Sequence, residues 1–240
     1  MKPAFLTRVA ATHAVLDRVA QTFQPAVLAS SLGAEDMVLA DMILQRGLGI
    51  DVFVLDTGRL HADTLELLGA IRARYGYDVE VVRPDPAAVR EYVERHGADA
   101  FYRDQELRHR CCQIRKVEPL ARALAGKRAW ITGMRREQST SRGDIAIEEF
   151  DGVHGMAKFN PLADWSESEV WSYIRERDVP YNRLYDQGYR SIGCAPCTRP
   201  VLEGEDPRAG RWWWESDAKR ECGLHVAPDG TLRRAKEVTA

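Results

Sequence analysis

The sequence predicts an α/β fold in which a mostly parallel β-sheet carries helices on both faces. Two observations lead to this class. Short apolar runs that end in small or turn-forming residues alternate along the chain with segments of helical periodicity. Successive parallel strands need crossover connections, which are almost always right-handed and place helices on the sheet. Ligands of such sheets bind beyond the carboxyl ends of the strands, so the loops after the strands are the expected site.

The first half of the chain supplies three strands in order. An amphipathic helix is expected at the N-terminus, and the strands are predicted over PAVLASS (25–31), IDVFVLDTG (50–58) and YDVEVVRP (77–84). Each strand is followed by a helical pattern, in MVLADMILQRG (37–47), HADTLELLGAIRARYG (61–76) and PAAVREYVERHG (86–97). Gly76 and Gly97 are suited to end the last two of these helices, and Pro86 to begin one.

The next segments are less regular. CCQIRKVEPLARALAG (111–126) is predicted to be helical, although Pro119 would kink it unless a helix begins nearby. KRAWITGMRREQS (127–139) is a fourth strand with its loop. From about residue 150 the pattern loosens, and one helix is expected after a Ser166 cap that has Glu169 three residues later.

Composition limits the class of protein. The chain has 240 residues, 45% of them hydrophobic, and a formal net charge of −2, so it is globular and has no general nucleic-acid surface. No apolar run approaches a membrane span, and the N-terminus does not resemble a signal peptide. We therefore expect a cytoplasmic protein. Residues 1–185 should form the α/β domain with the first cysteine pair, and 186–240 a lid and tail of that domain.

Three loops follow predicted parallel strands. SSLGAED places Gly33 and Ala34 at a helix start, where backbone N–H groups can hold a phosphate, although an ordinary tight turn has the same pattern. The backbone of LDTGR could meet an adenine edge, with Asp56 or Thr57 facing a sugar hydroxyl. The alternative for LDTGR is a helix cap formed by Thr57 or Asp63.

The third loop, GMRREQSTSRG, is basic. Arg135, Arg136 and Arg142 suit bidentate binding of phosphate or sulfate, and the alternative is a solvated basic loop. Because all three loops are expected at one edge of the sheet, together they favour a nucleotide.

Four of the five cysteines form two pairs. Cys111 and Cys112 are adjacent, whereas Cys194 and Cys197 have a Cys-x-x-Cys spacing. Four thiolates suit a tetrahedral zinc or a four-iron cluster. A tandem pair has a poor bite for one ion, which favours iron–sulfur. The alternatives are two small buried residues for the first pair and a redox dithiol for the second.

The fifth cysteine, Cys222 in KRECGLH, stands apart. Lys219, Arg220 and His225 are near it in sequence and could lower the pKa of its thiol. It is a candidate nucleophile, or else an incidental cysteine of the tail.

The set CC-(x)81-CxxC, followed by ECGLH and combined with SSLGAED, LDTG and GMRREQS, resembles the assimilatory sulfonucleotide reductases. The resemblance runs from about residue 26 to 226, and it is greatest to bacterial iron–sulfur adenylyl-sulfate (adenosine 5′-phosphosulfate) reductases. It implies an adenine-nucleotide α-hydrolase-like fold and reduction of the sulfonucleotide to sulfite and AMP in sulfate assimilation. Since a fused thioredoxin-like domain is missing here, it also implies a separate thioredoxin.

The resemblance further implies residue roles. One [4Fe–4S] cluster would be bound by Cys111, Cys112, Cys194 and Cys197. Cys222 would be the nucleophile, with His225 close to the substrate. Lys116 would lie beside both cluster and phosphosulfate, separating their negative charges. The other substrate-binding residues would be Ser30 or Ser31, Gly33, Leu55, Gly133, Arg142, Arg208 and Arg211. Leu32 departs from the family, which often has Phe there, and we expect only a packing effect.

Four alternatives remain open from the sequence. The substrate could be the 3′-phosphorylated nucleotide, alone or as well. An ATP pyrophosphatase-type adenylyltransferase would have a similar fold, but its loop should contain SGGxDS, and SSLGAED lacks that glycine pair. A zinc-stapled nucleotide-binding protein would use the same cysteines without catalysis. Homo-oligomerisation is also left open.

Overall fold

A computed structural model describes residues 3–139 and 142–215. Cys222 and His225 therefore lie outside the described residues. Within these residues the chain divides into two compact units. The first unit comprises 3–54, 62–80 and 126–183, and the second unit comprises 55–61, 81–125 and 184–215.

The sheet has six strands among the described residues, in the order β3-β2-β1-β4-β6-β5. β1 pairs in parallel with β2 and β4, and β4 pairs in parallel with β6, whereas β5 runs antiparallel to β6. The predicted mostly parallel sheet is thus confirmed. The strands are β1 (Ala26–Ser30), β2 (Asp51–Leu55), β3 (Glu80–Val82), β4 (Ala129–Ile131), β5 (Glu148–Asp151) and β6 (Met156–Phe159).

Helices connect these strands. α2 is buried around most of its circumference, as expected for a helix with an apolar sequence on every face. The α-helices of the described residues are α1 (Pro3–Thr22), α2 (Ala34–Leu44), α3 (Ala62–Tyr75), α4 (Pro86–His96), α5 (Gln105–Cys112), α6 (Glu118–Leu124) and α7 (Glu167–Arg177). Pro86 is in the first turn of α4 and Gly97 follows its end, as predicted, and α7 has the Ser166–Glu169 capping box.

The segment predicted as one helix over 111–126 is broken. α5 begins earlier, where the Asp104 side chain accepts the N–H of Leu107 at 2.8 Å, and it ends at Cys112. A π-helical turn, Gln113–Val117, joins it to α6. Pro119 lies in the first turn of α6, where its missing N–H removes no intrahelical bond.

The hairpin of β5 and β6 lies in the region whose pattern loosens, and the sequence did not predict it. Each strand has only four residues. Such short runs give too few alternating positions for a period of two to stand out. β3 is likewise shorter than the predicted run 77–84. Among the described helices, none combines the length and the apolar character that a membrane span requires.

Candidate functional site

The SSLGAED loop of the first unit joins β1 directly to α2. Ser30 ends β1 and is buried, and its hydroxyl accepts the N–H of Leu32 at 3.1 Å. Leu32 is fully buried at φ +60°, in the left-handed region that side chains rarely adopt. Gly33 is the N-cap of α2 and supplies no side-chain cap. The chain therefore turns sharply at the carboxyl end of β1, as a ligand-binding loop of this fold does.

The carboxylate of Asp36 ties this loop to another part of the first unit. Its Oδ2 accepts both the N–H and the hydroxyl of Ser31, at 2.7 and 2.6 Å. Its Oδ1 accepts the N–H of Gly133 at 3.1 Å. Burial raises the pKa of Asp36 to about 6, while the hydrogen bonds from Ser31 oppose that shift. At neutral pH the group is therefore mainly an ionised acceptor.

The loop after β4 is held by its own polar side chains. Arg135 is buried, and its Nε donates to the Glu35 carboxylate at 2.8 Å. Gln138 accepts the backbone N–H of Arg135 at 3.1 Å and also accepts from the Arg142 guanidinium. Arg136 forms an ion pair with Asp164. Arg135 and Arg136 are thus paired with carboxylates from other segments of the first unit, Glu35 of α2 and Asp164, which the sequence alone did not indicate.

The LDTGR loop belongs to the second unit. Asp56 accepts the N–H of Gly58 at 2.9 Å and the Nε of Arg83 at 3.0 Å, so its carboxylate fixes the turn. Thr57 is buried, and its hydroxyl lies 3.2 Å from the sulfur of Cys194. Leu55, at the end of β2, is half-buried. Thr57 precedes the first residue of α3 by five positions, so it is not the cap of that helix.

The four described cysteines all lie in the second unit, and all are thiols. Cys111 and Cys112 are the last two residues of α5. Cys194 is the N-cap of a short 3-10 turn, Ala195–Cys197, and the N–H of Cys197, the last residue of that turn, donates to the carbonyl of Cys194 at 2.9 Å. Cys194 also pairs with Leu60 in an isolated β-bridge, which connects the Cys-x-x-Cys segment to the LDTGR loop.

Thiols of both cysteine pairs contribute to the pKa shifts of Cys111 and Cys197. Burial raises the pKa of the Cys111 thiol, and Cys194 raises it further, whereas Arg115 and Lys116 lower it. Burial also raises the pKa of Cys197 to about 12, with Cys194 and Cys111 adding to the increase and Lys116 opposing it. The group therefore consists of thiols from both pairs with cations beside them.

Four thiols in one unit suit a polynuclear cluster, because a cubane offers a separate iron to each thiolate. Buried thiols ionise with difficulty, and binding to metal stabilises the thiolate form. The assignment of Cys111, Cys112, Cys194 and Cys197 as ligands stays a prediction.

Two arginines follow the second cysteine pair. Arg211 is buried, and its guanidinium lies 4.6 Å from the ring centre of Trp212 and donates to the Ser191 hydroxyl at 3.3 Å. A Cβ at Gly193 would lie 2.5 Å from Nη2 of Arg211, so a side chain at position 193 would displace the Arg211 guanidinium. Arg208 is half-buried, and its N–H donates to Asp206 at 2.7 Å.

Sequence reasoning missed one buried ion pair of the second unit. Arg108, which is fully buried, donates to both carboxylate oxygens of Glu215 at 2.6 and 2.9 Å and lies over the Trp212 ring. Arg108 precedes Cys111 and Cys112 by three and four residues, which is one helical turn. That spacing was the available signal, but an arginine in a polar helix is normally expected at the surface.

Comparison with known proteins places the chain in a family. The phosphoadenosine phosphosulfate reductase domain matches residues 25–200. The chain belongs to this family. The match includes the SSLGAED loop and both cysteine pairs, and it ends before Arg208, Arg211 and Cys222.

Relatives agree with this family assignment. An adenosine 5′-phosphosulfate reductase from Burkholderia cepacia is 52% identical over 226 residues, which cover 94% of this chain and 90% of the relative. The crystal structure of a phosphoadenylyl-sulfate reductase from Candida auris, a phosphate complex, has a TM-score of 0.68 and 29% identity. It covers 79% of this chain and 90% of its own.

A third likeness concerns the fold alone. The FMN adenylyltransferase of Candida glabrata in complex with ATP has a TM-score of 0.59 at 14% identity, over 85% of this chain and 68% of its own. The resemblance to sulfonucleotide reductases and the adenine-nucleotide α-hydrolase-like fold, both expected from the motifs, are thus confirmed.

Proposed function

We propose that this chain reduces adenosine 5′-phosphosulfate to sulfite and AMP in assimilatory sulfate reduction. The observation that carries the proposal is that both cysteine pairs lie in the second unit, where the charge of Lys116 acts on the thiols of Cys111 and Cys197. This arrangement occurs in a chain half identical, over nearly its full length, to a relative named for that activity.

Cys111, Cys112, Cys194 and Cys197 would hold one [4Fe–4S] cluster. The cluster, when bound by these four thiolates, would supply a fixed negative charge at the site. Lys116 is the residue that offsets this charge, because it already interacts with thiols of both pairs. The Thr57 hydroxyl, 3.2 Å from the Cys194 sulfur, adds a hydrogen bond to the ligand group.

The chemistry itself needs only thiols. The Cys222 thiolate would attack the sulfate sulfur, forming a sulfur–sulfur bond as the bond from sulfur to the bridging oxygen breaks and AMP leaves. A second thiolate then attacks the Cys222 sulfur and releases sulfite, as in disulfide exchange. The two electrons come from the two thiols that finally become a disulfide. A separate dithiol protein of the thioredoxin class is the proposed donor, and a reducing cytoplasm suits these thiols.

The second candidate is the 3′-phosphorylated nucleotide, alone or in addition. The observation in its favour is the TM-score of 0.68 with the Candida auris phosphoadenylyl-sulfate reductase. The identity to that enzyme is 29%, against 52% to the Burkholderia cepacia relative, which favours the substrate without the 3′-phosphate.

Steady-state sulfite formation with each nucleotide, measured separately with thioredoxin as reductant, tests the proposal. We expect turnover of adenosine 5′-phosphosulfate with equal amounts of sulfite and AMP, and a far lower kcat/KM for the 3′-phosphorylated form. Pyrophosphate release with ATP and no sulfite from either sulfonucleotide would instead indicate an adenylyltransferase.

A further inference from the structure

Two loops of the first unit follow β1 and β4, which are adjacent parallel strands. The carboxyl ends of such strands lie side by side, and this is where the fold binds its ligands. Both loops contain residues for which the family resemblance implies nucleotide contacts, namely Ser30 or Ser31 in one and Gly133 in the other. What holds these two loops at a fixed separation therefore matters for the nucleotide site.

One buried carboxylate joins them. Asp36 accepts two hydrogen bonds from Ser31 through one oxygen and a third from Gly133 through the other. All three hydrogen bonds are 3.1 Å or shorter, and the Asp36 side chain is buried. A carboxylate that accepts three hydrogen bonds in such surroundings is a strong acceptor.

The junction has no spare room. A Cβ at Gly133 would lie 2.4 Å from Oδ1 of Asp36 and 2.8 Å from Cβ of Glu35, both closer than real contacts. Glycine is thus required at 133 for close approach to α2, and not for an unusual backbone conformation. Glu35 adds a parallel tie, because its carboxylate accepts from the buried Arg135 at 2.8 Å.

We propose that Asp36 is a positioning residue for the nucleotide site, holding the loop of Ser31 against the loop of Gly133. It acts through their backbone and hydroxyl groups and does not itself touch the substrate. The GAED motif contains two acidic residues, Glu35 and Asp36, which would repel an anionic ligand. Their presence is explained because each carboxylate accepts hydrogen bonds from protein donors. This inference rests on the proposed function, because it concerns that nucleotide.

Asp36→Asn is the variant that tests it. Asparagine keeps the size of the side chain but replaces one acceptor oxygen with an N–H₂ group, which would face a donor N–H. AMP affinity, measured by calorimetry on the anaerobically purified full chain, should weaken on the order of 10- to 100-fold, because a loop that moves out of place loses part of its contacts with the nucleotide. Iron content and thiol count should not change.

Asp41→Asn is the matched control. Asp41 is a second buried aspartate of α2, and it accepts from the hydroxyls of Tyr75 and Tyr173 at 2.8 and 2.9 Å. Neither partner is part of the two loops. The control should lower thermal stability but leave AMP affinity within about twofold of wild type, consistent with independence of sites that share no partners.

The outcomes separate the two claims. Equal weakening of AMP binding in both variants, or none in Asp36→Asn, would overturn the positioning role while leaving the proposed function intact. Failure of wild type to bind AMP would overturn the proposed function and this inference together. Amide hydrogen exchange of the wild type needs no variant: slow exchange at Ser31 and Gly133 supports the bridge, and fast exchange at both refutes it.

Discussion

Lys116 is a cation that lowers the pKa of one thiol from each cysteine pair, Cys111 and Cys197. It follows Cys112 by four residues, inside the π-helical turn, and its charge acts on thiols from both cysteine pairs. A cation in this position offsets negative charge that four thiolates would otherwise concentrate. The sequence indicated this lysine mainly through the family resemblance, and its spacing of four residues from Cys112 is compatible with an ordinary surface lysine as well.

Replacing Lys116 with alanine should lower kcat/KM for adenosine 5′-phosphosulfate by roughly 30- to 1000-fold, because a charge-assisted contact with an anion is lost. Iron content should stay near that of wild type, since no ligand is removed. Initial rates together with iron analysis on the same preparation measure both effects.

Lys127→Ala is a suitable control for that experiment. Its ammonium group pairs with Asp51 at 3.0 Å in the first unit, whereas the four described cysteines belong to the second. It should retain wild-type kinetics. If Lys116→Ala also retained them, Lys116 would be an ordinary surface lysine.

Other residues could not have been found from the sequence. Asp36 lies in the first turn of α2, where the helix dipole favours any acidic residue. Its presence there in the sequence therefore does not indicate that its carboxylate connects two loops. The sequence offers Thr57 as a residue that could face a sugar hydroxyl, but its own hydroxyl lies 3.2 Å from the sulfur of Cys194, 137 positions later. Such pairings depend on long-range packing, which local patterns do not record.

At the scale of elements, the cysteine pairs occupy ends of short structures. One pair forms the last two residues of α5, and the other provides the N-cap and the last residue of a 3-10 turn. Thr198, which follows that turn, forms a β-bridge with Arg211. Element ends can present thiols without burying backbone groups among them. Both elements are needed for a four-thiolate group, so losing one ligand should affect the whole centre.

Cys194→Ser should therefore lose both the brown colour and most of the iron. Anaerobically purified wild type should contain about four irons and four sulfides per chain. Cys222→Ser is the matched control, and it should keep wild-type iron because it is not one of the four ligands. A colourless, active wild type with one zinc per chain would contradict the cluster assignment.

The elements themselves were largely predictable. β1, β2, α3 and α4 follow from apolar periodicity and from Gly and Pro at their ends. The β5–β6 hairpin and the π-helical turn did not follow. The hairpin strands are too short for a clear alternation, and Pro119 indicated a break in the helix without specifying a π-helical turn before it.

For the whole molecule, the alternation of strands and helices was sufficient for the fold class. The division into two units was not predictable, because each unit is assembled from separate stretches of the chain. Contacts that close such units join residues more than a hundred positions apart, as Arg108 and Glu215 do. The motifs nevertheless identified the family, since the spacing of cysteines carries chemistry that does not depend on these contacts.

In the proposed reaction, sulfur passes from the nucleotide to Cys222 before any reductant acts. Incubating the enzyme with sulfur-labelled adenosine 5′-phosphosulfate in the absence of reductant tests this order of steps directly. We expect release of one AMP per chain and label on the peptide containing Cys222, which thioredoxin then releases as sulfite. Label on Cys194 or Cys197, with Cys222→Ser still forming sulfite, would contradict it and favour a dithiol mechanism.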